Sequence, residues 1–415
     1  MTAISRRFLP APRGHCYHAA SVKIPLVKPM MRTAALLLLA TLVSAPAMSA
    51  SLVPAPPTIN ADAYLLTDFA TGTVLVENQI DERLPPASLT KLMTSYILAE
   101  EVDAGRLSLD DPVTVSRNAW SQNPTFRGSS LMWIEPGKPV TVGELEKGIV
   151  ISSGNDATVA IAEHIAGSEA AFVDLMNRYA EELGLYATHF ENTHGLPHPD
   201  HLTTARDLGV LAAATIRHHP ERYEVYKQQS YTHNDITQYN RNHLLREDPS
   251  VDGLKTGYTS VAGYGLVASA ERGGMRLISV VLGSNSTRSR KAETRSLLNY
   301  GFRFYENVEA VAANASLGSS RVWKGTQDVV NAGLLESVLL TLPRGNAAPE
   351  VVALFDEPLR APIERGDQVG SLQVFLNGEL LLERPLQALE MIPAGGFFQR
   401  LWDSFVLWLT ELFTP

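Results

Sequence analysis

The chain has 415 residues, enough for two or three domains, and its 45% hydrophobic and 19% charged content is that of a globular protein. Its formal charge is −9; residues 1–50 hold six Lys and Arg and no acid, so loss of that stretch leaves −15. So acidic a chain argues against nucleic-acid binding, and with Cys16, its one cysteine, in the same stretch, the remainder has no disulfide and needs an apolar core of its own.

Lys28 and Arg32 precede an apolar run over 34–43, followed by Ser44-Ala45-Pro46-Ala47-Met48-Ser49-Ala50. These are the n-region, h-region and small-residue cleavage site of a secretory signal, and the run is too short for an ordinary membrane span. Met30 or Met31 then reads as the start of translation. Ser5-Arg6-Arg7 stands too far from the h-region to serve as a twin-arginine signal.

Residues 63–69 and 74–78 flank Ala70-Thr71-Gly72 and predict a hairpin. Pro85-Pro86 then fixes an extended approach to a helical pattern in which Leu89, Leu92, Met93, Tyr96, Ile97 and Val102 recur at three- and four-residue steps. Ser88 stands at the mouth of this helix, and Lys91 is three residues on, on the same face. Taken alone, Ser88 is better explained as an N-cap, although a lysine in the first turn opposes the helix dipole. A short helix from Thr141 breaks at Ile151-Ser152-Ser153-Gly154-Asn155-Asp156, and another follows over 157–166. Residues 168–183 form an amphipathic helix. Thr204 opens the next, with Asp207 placed as in a capping box. Residues 263–271 and 275–283 alternate around Arg272-Gly273-Gly274 as a second hairpin, and 288–305 is helical.

Beyond Asn307 come short β-branched runs (351–355, 368–376, 380–384) punctuated by turn residues, including the hairpin pair Asn377-Gly378. They predict a small all-β domain over 308–394. Pro393 and Gly395-Gly396 then set off a last helix, over 396–413. Phe398, Leu401, Trp402, Phe405, Trp408, Leu409 and Leu412 make one stripe on it, suited to a membrane interface rather than to crossing the bilayer. The competing reading is a helix that packs on its own domain or dimerises.

Three triplets carry the chemistry. Ser88-Leu89-Thr90-Lys91 opens a helix, Ser153-Gly154-Asn155 lies between two helices, and Lys255-Thr256-Gly257 lies on a strand. A serine hydroxyl is a poor nucleophile until a base takes its proton. No histidine is fixed beside Ser88, but Lys91 is, and a lysine is a base once burial or a second cation depresses its pKa. Lys255 is the expected cation. Ser153 can relay a proton to a leaving amine, and Asn155 can orient Lys91 and bind a substrate carbonyl. Lys255 and Thr256 suit a terminal carboxylate, with Gly257 clearing room for substrate along the strand. His189, His194, His198 and His201 cluster in one loop, but no second ligand group points to them, so no metal is expected. No cofactor is needed.

In this order the triplets are those of the penicillin-recognising serine enzymes. The chain resembles above all the low-molecular-mass penicillin-binding proteins, the D-alanyl-D-alanine carboxypeptidases of the bacterial envelope. The likeness extends through Tyr239-Asn240-Arg241-Asn242, Val251-Asp252-Gly253-Leu254, Ala262-Gly263-Tyr264 and Leu266-Val267-Ala268-Ser269-Ala270. It implies an α+β fold: a β-lactamase/transpeptidase-like domain over 58–307, with an antiparallel sheet flanked by helices, then a β-rich stalk and an amphipathic anchor. It also implies backbone N–H groups of Ser88 and Tyr258 as an oxyanion hole, and Arg241 and Arg290 beside the site. Many relatives carry His where this chain has Tyr258. The implied substrate is the peptidoglycan stem pentapeptide, with β-lactams as inhibitors and the enzyme exported to the periplasmic face of the inner membrane. A β-lactamase is the nearest rival, disfavoured by Ser-Gly-Asn in place of Ser-Asp-Asn and by the added β domain and tail. A DD-endopeptidase would use the same groups, and a non-turnover penicillin-binding sensor or scaffold is the rival of another class.

Overall fold

The computed structural model describes residues 53–413, so the leader read in 1–50 lies outside the described residues. A five-stranded antiparallel sheet organises the first part. Its order is Val74–Asn78, Ala63–Asp68, Met275–Ser284, Gly263–Arg272 and Val251–Thr259, which places the Lys255 strand at an edge. Successive side chains on a strand point to opposite faces, and here both faces are covered. Leu65, Leu254, Val267 and Val280 face a cluster with Leu92, Met93 and Tyr96 of helix Lys91–Asp103 and with Leu208 and Leu211 of helix Ala205–His218. Leu66, Leu266, Ala268 and Val281 face Leu297, Leu298 and Phe302 of helix Thr287–Phe304. Each fully buried side chain of this size contributes about 1.5–3 kcal/mol. A third cluster, around Phe126, Met132, Leu145 and Ile161, holds the helical region inserted between the sheet strands.

Local chemistry sets the connections. Gly273 and Gly274 both take positive φ in the two-residue hairpin loop expected there. Thr141 and Glu144 form a capping box at helix Val142–Lys147, which runs into a wider π-type turn, Gly148–Ser152, ending at Ser153 with φ 58°. Thr204 caps helix Ala205–His218 by accepting from Asp207 N. Asp207 departs from the capping-box expectation: its carboxylate accepts from Ala187 N and Thr188 Oγ1 instead, tying down the preceding loop.

Helix Thr287–Phe304 leads directly into strand Tyr305–Val311. The all-β part has a six-stranded sheet built on the long hairpin Gln368–Leu376/Glu379–Ala388, turned by Asn377 and Gly378 at positive φ, and a separate pair, Tyr305–Val311 with Val338–Pro343. Its core centres on Val330, Leu372, Val374, Leu386 and Ile392. Four of its strands, within 305–343, were not anticipated; in Gly318–Trp323 and Val329–Gly333 buried and exposed positions do alternate, but small or polar residues at buried positions, such as Ser320, Ala332 and Gly333, hide the alternation in the sequence. Asn307 donates to Asp68, and Thr71 and Thr341 share a hydrogen bond of 2.6 Å, joining this part to the first hairpin.

The last helix, Phe397–Phe413, rests on the β domain through its polar side. Lys324 N donates to Asp403 (2.5 Å), Gln399 Nε2 donates to Gly325 O (2.7 Å), and Leu407 is buried. The aromatic stripe points away: Phe398 is 83% exposed and Trp402 66%. No described helix is long and apolar enough to cross a membrane.

Candidate active site

The prolines lead into Ala87, held at φ 49°, and a 3₁₀ turn, Ala87–Thr90, from which the α-helix starts at Lys91. Ser88 therefore sits one tight turn ahead of the expected position and makes no capping bond. In a 3₁₀ turn residues i and i+3 eclipse, and Lys91 Nζ donates to Ser88 Oγ at 3.2 Å. Lys91 is completely buried and also donates to Asn155 Oδ1 and to His194 O, both at 2.7 Å. Burial, reinforced by the Arg241 charge and opposed by Asp156, pulls its pKa down to about 7.

Lys255, expected to be the cation that depresses Lys91, is itself pushed well below the usual lysine range, by burial first and then by Lys91, Arg241 and Arg290. The cation that adds to the effect of burial on Lys91 is Arg241. Lys255 Nζ donates to Ser153 Oγ at 3.0 Å and to Thr256 O. The left-handed conformation of Ser153, forced where the π-type turn gives way to helix Asn155–Ala166, turns its hydroxyl toward Lys255. Two buried lysines thus each carry a serine hydroxyl.

Gly257 lines the cleft and also permits a close approach of backbone. A Cβ there would lie 2.9 Å from Pro86 O and 3.1 Å from Leu89 Cγ, so its missing side chain lets the edge strand close on the turn that carries Ser88. Arg290 ties that strand to its neighbour Gly263–Arg272, donating to Gly257 O (3.1 Å) and Gly265 O (3.3 Å). Its guanidinium also lies over Tyr264, which stacks on Tyr258 with ring centroids 4.2 Å apart. The result is a cleft of about 470 Å³ lined by Ser88, Ser153, Asn155, Arg241, Thr256, Gly257, Tyr258 and Arg290, with Lys91 and Lys255 reaching it through the two hydroxyls.

The supporting groups were not legible beforehand. Asp156 accepts four backbone N–H bonds, from Met132, Trp133, Ile134 and Ala157, and so pins the segment that carries Ser129 and Ser130 into the cleft. Asn155 Nδ2 donates to Ser129 Oγ. The one sequence signal for Asp156 was an acid in the first turn of a helix, an ordinary dipole partner. His201 accepts at Nδ1 from Glu191 N, so its Nε2 carries the proton and donates to Thr90 Oγ1 (2.7 Å), which donates to Ala87 O. Of the four clustered histidines, His194 and His201 are buried beneath the Ser88 turn, whereas His189 and His198 face solvent beside Glu191.

The D-alanyl-D-alanine carboxypeptidase family matches residues 50–286, and the C-terminal domain of penicillin-binding protein 5 matches 305–394. The chain is 45% identical to D-alanyl-D-alanine carboxypeptidase DacC of Escherichia coli over 85% of its length and 89% of the relative's. It is 43% identical to DacA of the same organism, over 86% and 90%. Penicillin-binding protein 5 of Haemophilus influenzae superposes with a TM-score of 0.77 at 38% identity, covering 82% of this chain and 99% of the other. Penicillin-binding protein D2 of Listeria monocytogenes, solved with ampicillin bound, gives 0.53 at 31% identity, over 60% and 100%. A serine on a tight turn, two buried lysines and an edge strand on this scaffold, with identity running through both domains, have one reading: the chain belongs to the D-alanyl-D-alanine carboxypeptidase family of serine hydrolases, among the penicillin-binding proteins.

Proposed function

We propose that this protein removes the terminal D-alanine from peptidoglycan stem pentapeptides through an acyl-enzyme on Ser88, and that β-lactams acylate the same serine. The observation that carries the reading is Lys91, fully buried, 3.2 Å from Ser88 Oγ and with its pKa brought to about 7. Neutral Lys91 takes the Ser88 proton as Oγ attacks the carbonyl of the penultimate D-Ala. The developing oxyanion is held by the N–H groups of Ser88 and Tyr258. Ser153, bonded to Lys255, gives its proton to the leaving amine and is reprotonated by Lys91, which returns to its neutral form, while Lys255, Thr256 and Arg241 hold the departing carboxylate. That carboxylate restores the Lys255 charge, which then helps to keep Lys91 neutral. Lys91 next activates the water that releases the acyl group. Arg290 acts by holding the strand.

The test is D-Ala release from a pentapeptide alongside the lifetime of a labelled penicillin adduct on Ser88. Release with a long-lived adduct supports the carboxypeptidase. Rapid adduct turnover without release would make this a β-lactamase, and labelling with neither would make it a sensor. Lys91→Ala should lose both labelling and release with its fold intact.

The outward face of helix Phe397–Phe413 supports attachment to a membrane surface, and together with the leader read in residues 1–50 it is the basis for proposing the periplasmic face of the inner membrane as the enzyme's location. Six large side chains (Phe398, Leu401, Trp402, Phe405, Trp408 and Leu412) are each about half exposed or more, and burying them contributes at most about 1.5–3 kcal/mol apiece, less for shallow insertion. Arg400 is the helix's one basic residue, so adhesion to liposomes should survive high salt and disappear on truncation after Ala394, with small-peptide turnover unchanged. Release by salt would refute a hydrophobic anchor.

A further inference from the structure

We propose that Glu191, His198 and Asp200 form a divalent-cation site, of the kind zinc occupies, on the loop that packs beneath the nucleophile turn. Four histidines in one loop lacked ligand partners in the sequence; the fold sorts them and supplies the partners. One donor atom from each of the three residues lies within 4.8 Å of the others. His198 Nδ1 is 3.8 Å from Glu191 Oε1 and 4.0 Å from Asp200 Oδ2. A cation equidistant from three atoms so spaced sits about 2.5 Å from each, so side-chain adjustments of a few tenths of an ångström reach the ~2.0–2.2 Å of zinc–nitrogen and zinc–carboxylate bonds.

Charge points the same way. Neither Glu191 nor Asp200 pairs with a lysine or arginine among the described residues; their partners are imidazoles alone. His189 Nε2 lies 3.1 Å from Glu191 Oε1, placed to donate to the ligating carboxylate and fix its orientation, as outer-shell partners of metal ligands do. The cation replaces one weak contact, the 3.3 Å bond from Asp200 N to His198 Nδ1. Three protein ligands at the surface leave coordination positions to water, so the ion exchanges freely.

The site is also wired to the catalytic turn. The amide of Glu191 donates to His201, whose other nitrogen reaches Thr90 and through it Ala87 O, next to Ser88. Occupancy therefore stiffens the loop whose His194 carbonyl receives Lys91.

The test is calorimetric titration of the mature chain, without a polyhistidine tag and freed of metal by chelator, with zinc chloride at pH 7.5. One equivalent should bind with a dissociation constant in the micromolar range and raise the melting temperature. His198→Ala and Asp200→Asn should each weaken binding about ten-fold or more, by the magnitude usual for metal-site partners. His164→Ala, at an exposed histidine on helix Asn155–Ala166, should change nothing. Penicillin labelling of Ser88 at the wild-type level reports that each variant is folded. Absence of saturable binding below about 1 mM zinc, or equal affinity in wild type and in both site variants, overturns the proposal.

Discussion

Gly195→Ala isolates the packing that aims Ser88, the proposed nucleophile. Gly195 has φ +88°, and a Cβ there would stand 1.7 Å from Ala87 O, 2.3 Å from Ala87 C and 2.9 Å from Thr90 Oγ1. Left-handed backbone costs an alanine about 1–2 kcal/mol. Ordinary contact with the carbonyl oxygen also requires the two segments to part by roughly 1.5 Å. Ala87 immediately precedes Ser88, and His194, whose carbonyl holds Lys91, immediately precedes Gly195, so the displacement acts on the proposed nucleophile and base together. Misplacement by about 1 Å costs on the order of 100-fold in rate. The second-order rate of acylation by a fluorescent penicillin should therefore fall about 100-fold, beyond any loss explained by melting temperature. A soluble, cooperatively folded variant acylated within about three-fold of wild type would refute the reasoning, because the glycine would then be tolerated by slack in the loop rather than required by contact.

On the proposed mechanism acylation needs neutral Lys91, whose pKa burial lowers to about 7, so the acylation rate should fall about ten-fold per pH unit below 7 and level off above it; equal rates at pH 6 and 8 would remove Lys91 as the titrating base. Asp156→Asn replaces two acceptor positions of a carboxylate that holds four N–H groups. It should destabilise the fold by about 2–4 kcal/mol in a denaturant titration. By removing a negative charge that raises the Lys91 pKa, it should also move the acidic limb of the acylation profile to lower pH; a limb that stays in place would confine Asp156 to a structural role.

What sequence alone determined here was local or periodic. The tandem glycines at 273–274 and the Asn377-Gly378 pair specify two-residue turns, because few residues adopt positive φ without strain. The Ser88–Lys91 spacing predicts contact because one helical turn brings those positions together, and the apolar stripe of the final helix is a matter of period. Order and residue type sufficed for the three triplets, since a hydroxyl, a base and a carboxylate-binding cation are chemically recognisable wherever they stand. Tertiary structure decided the rest. Burial of Lys91 depends on residues 64 and 103 positions away in the chain, and desolvation, which sets its proton affinity, is a property of the packed environment rather than of a motif. The need for glycine at 257 and at 195 arises from backbone segments distant in sequence that close on each other. The same holds for the loop histidines: four similar side chains acquire opposite fates, two buried under the catalytic turn and two set beside carboxylates at the surface, because the chain reverses between Glu191 and His201 and no local pattern records which side of that reversal meets the core.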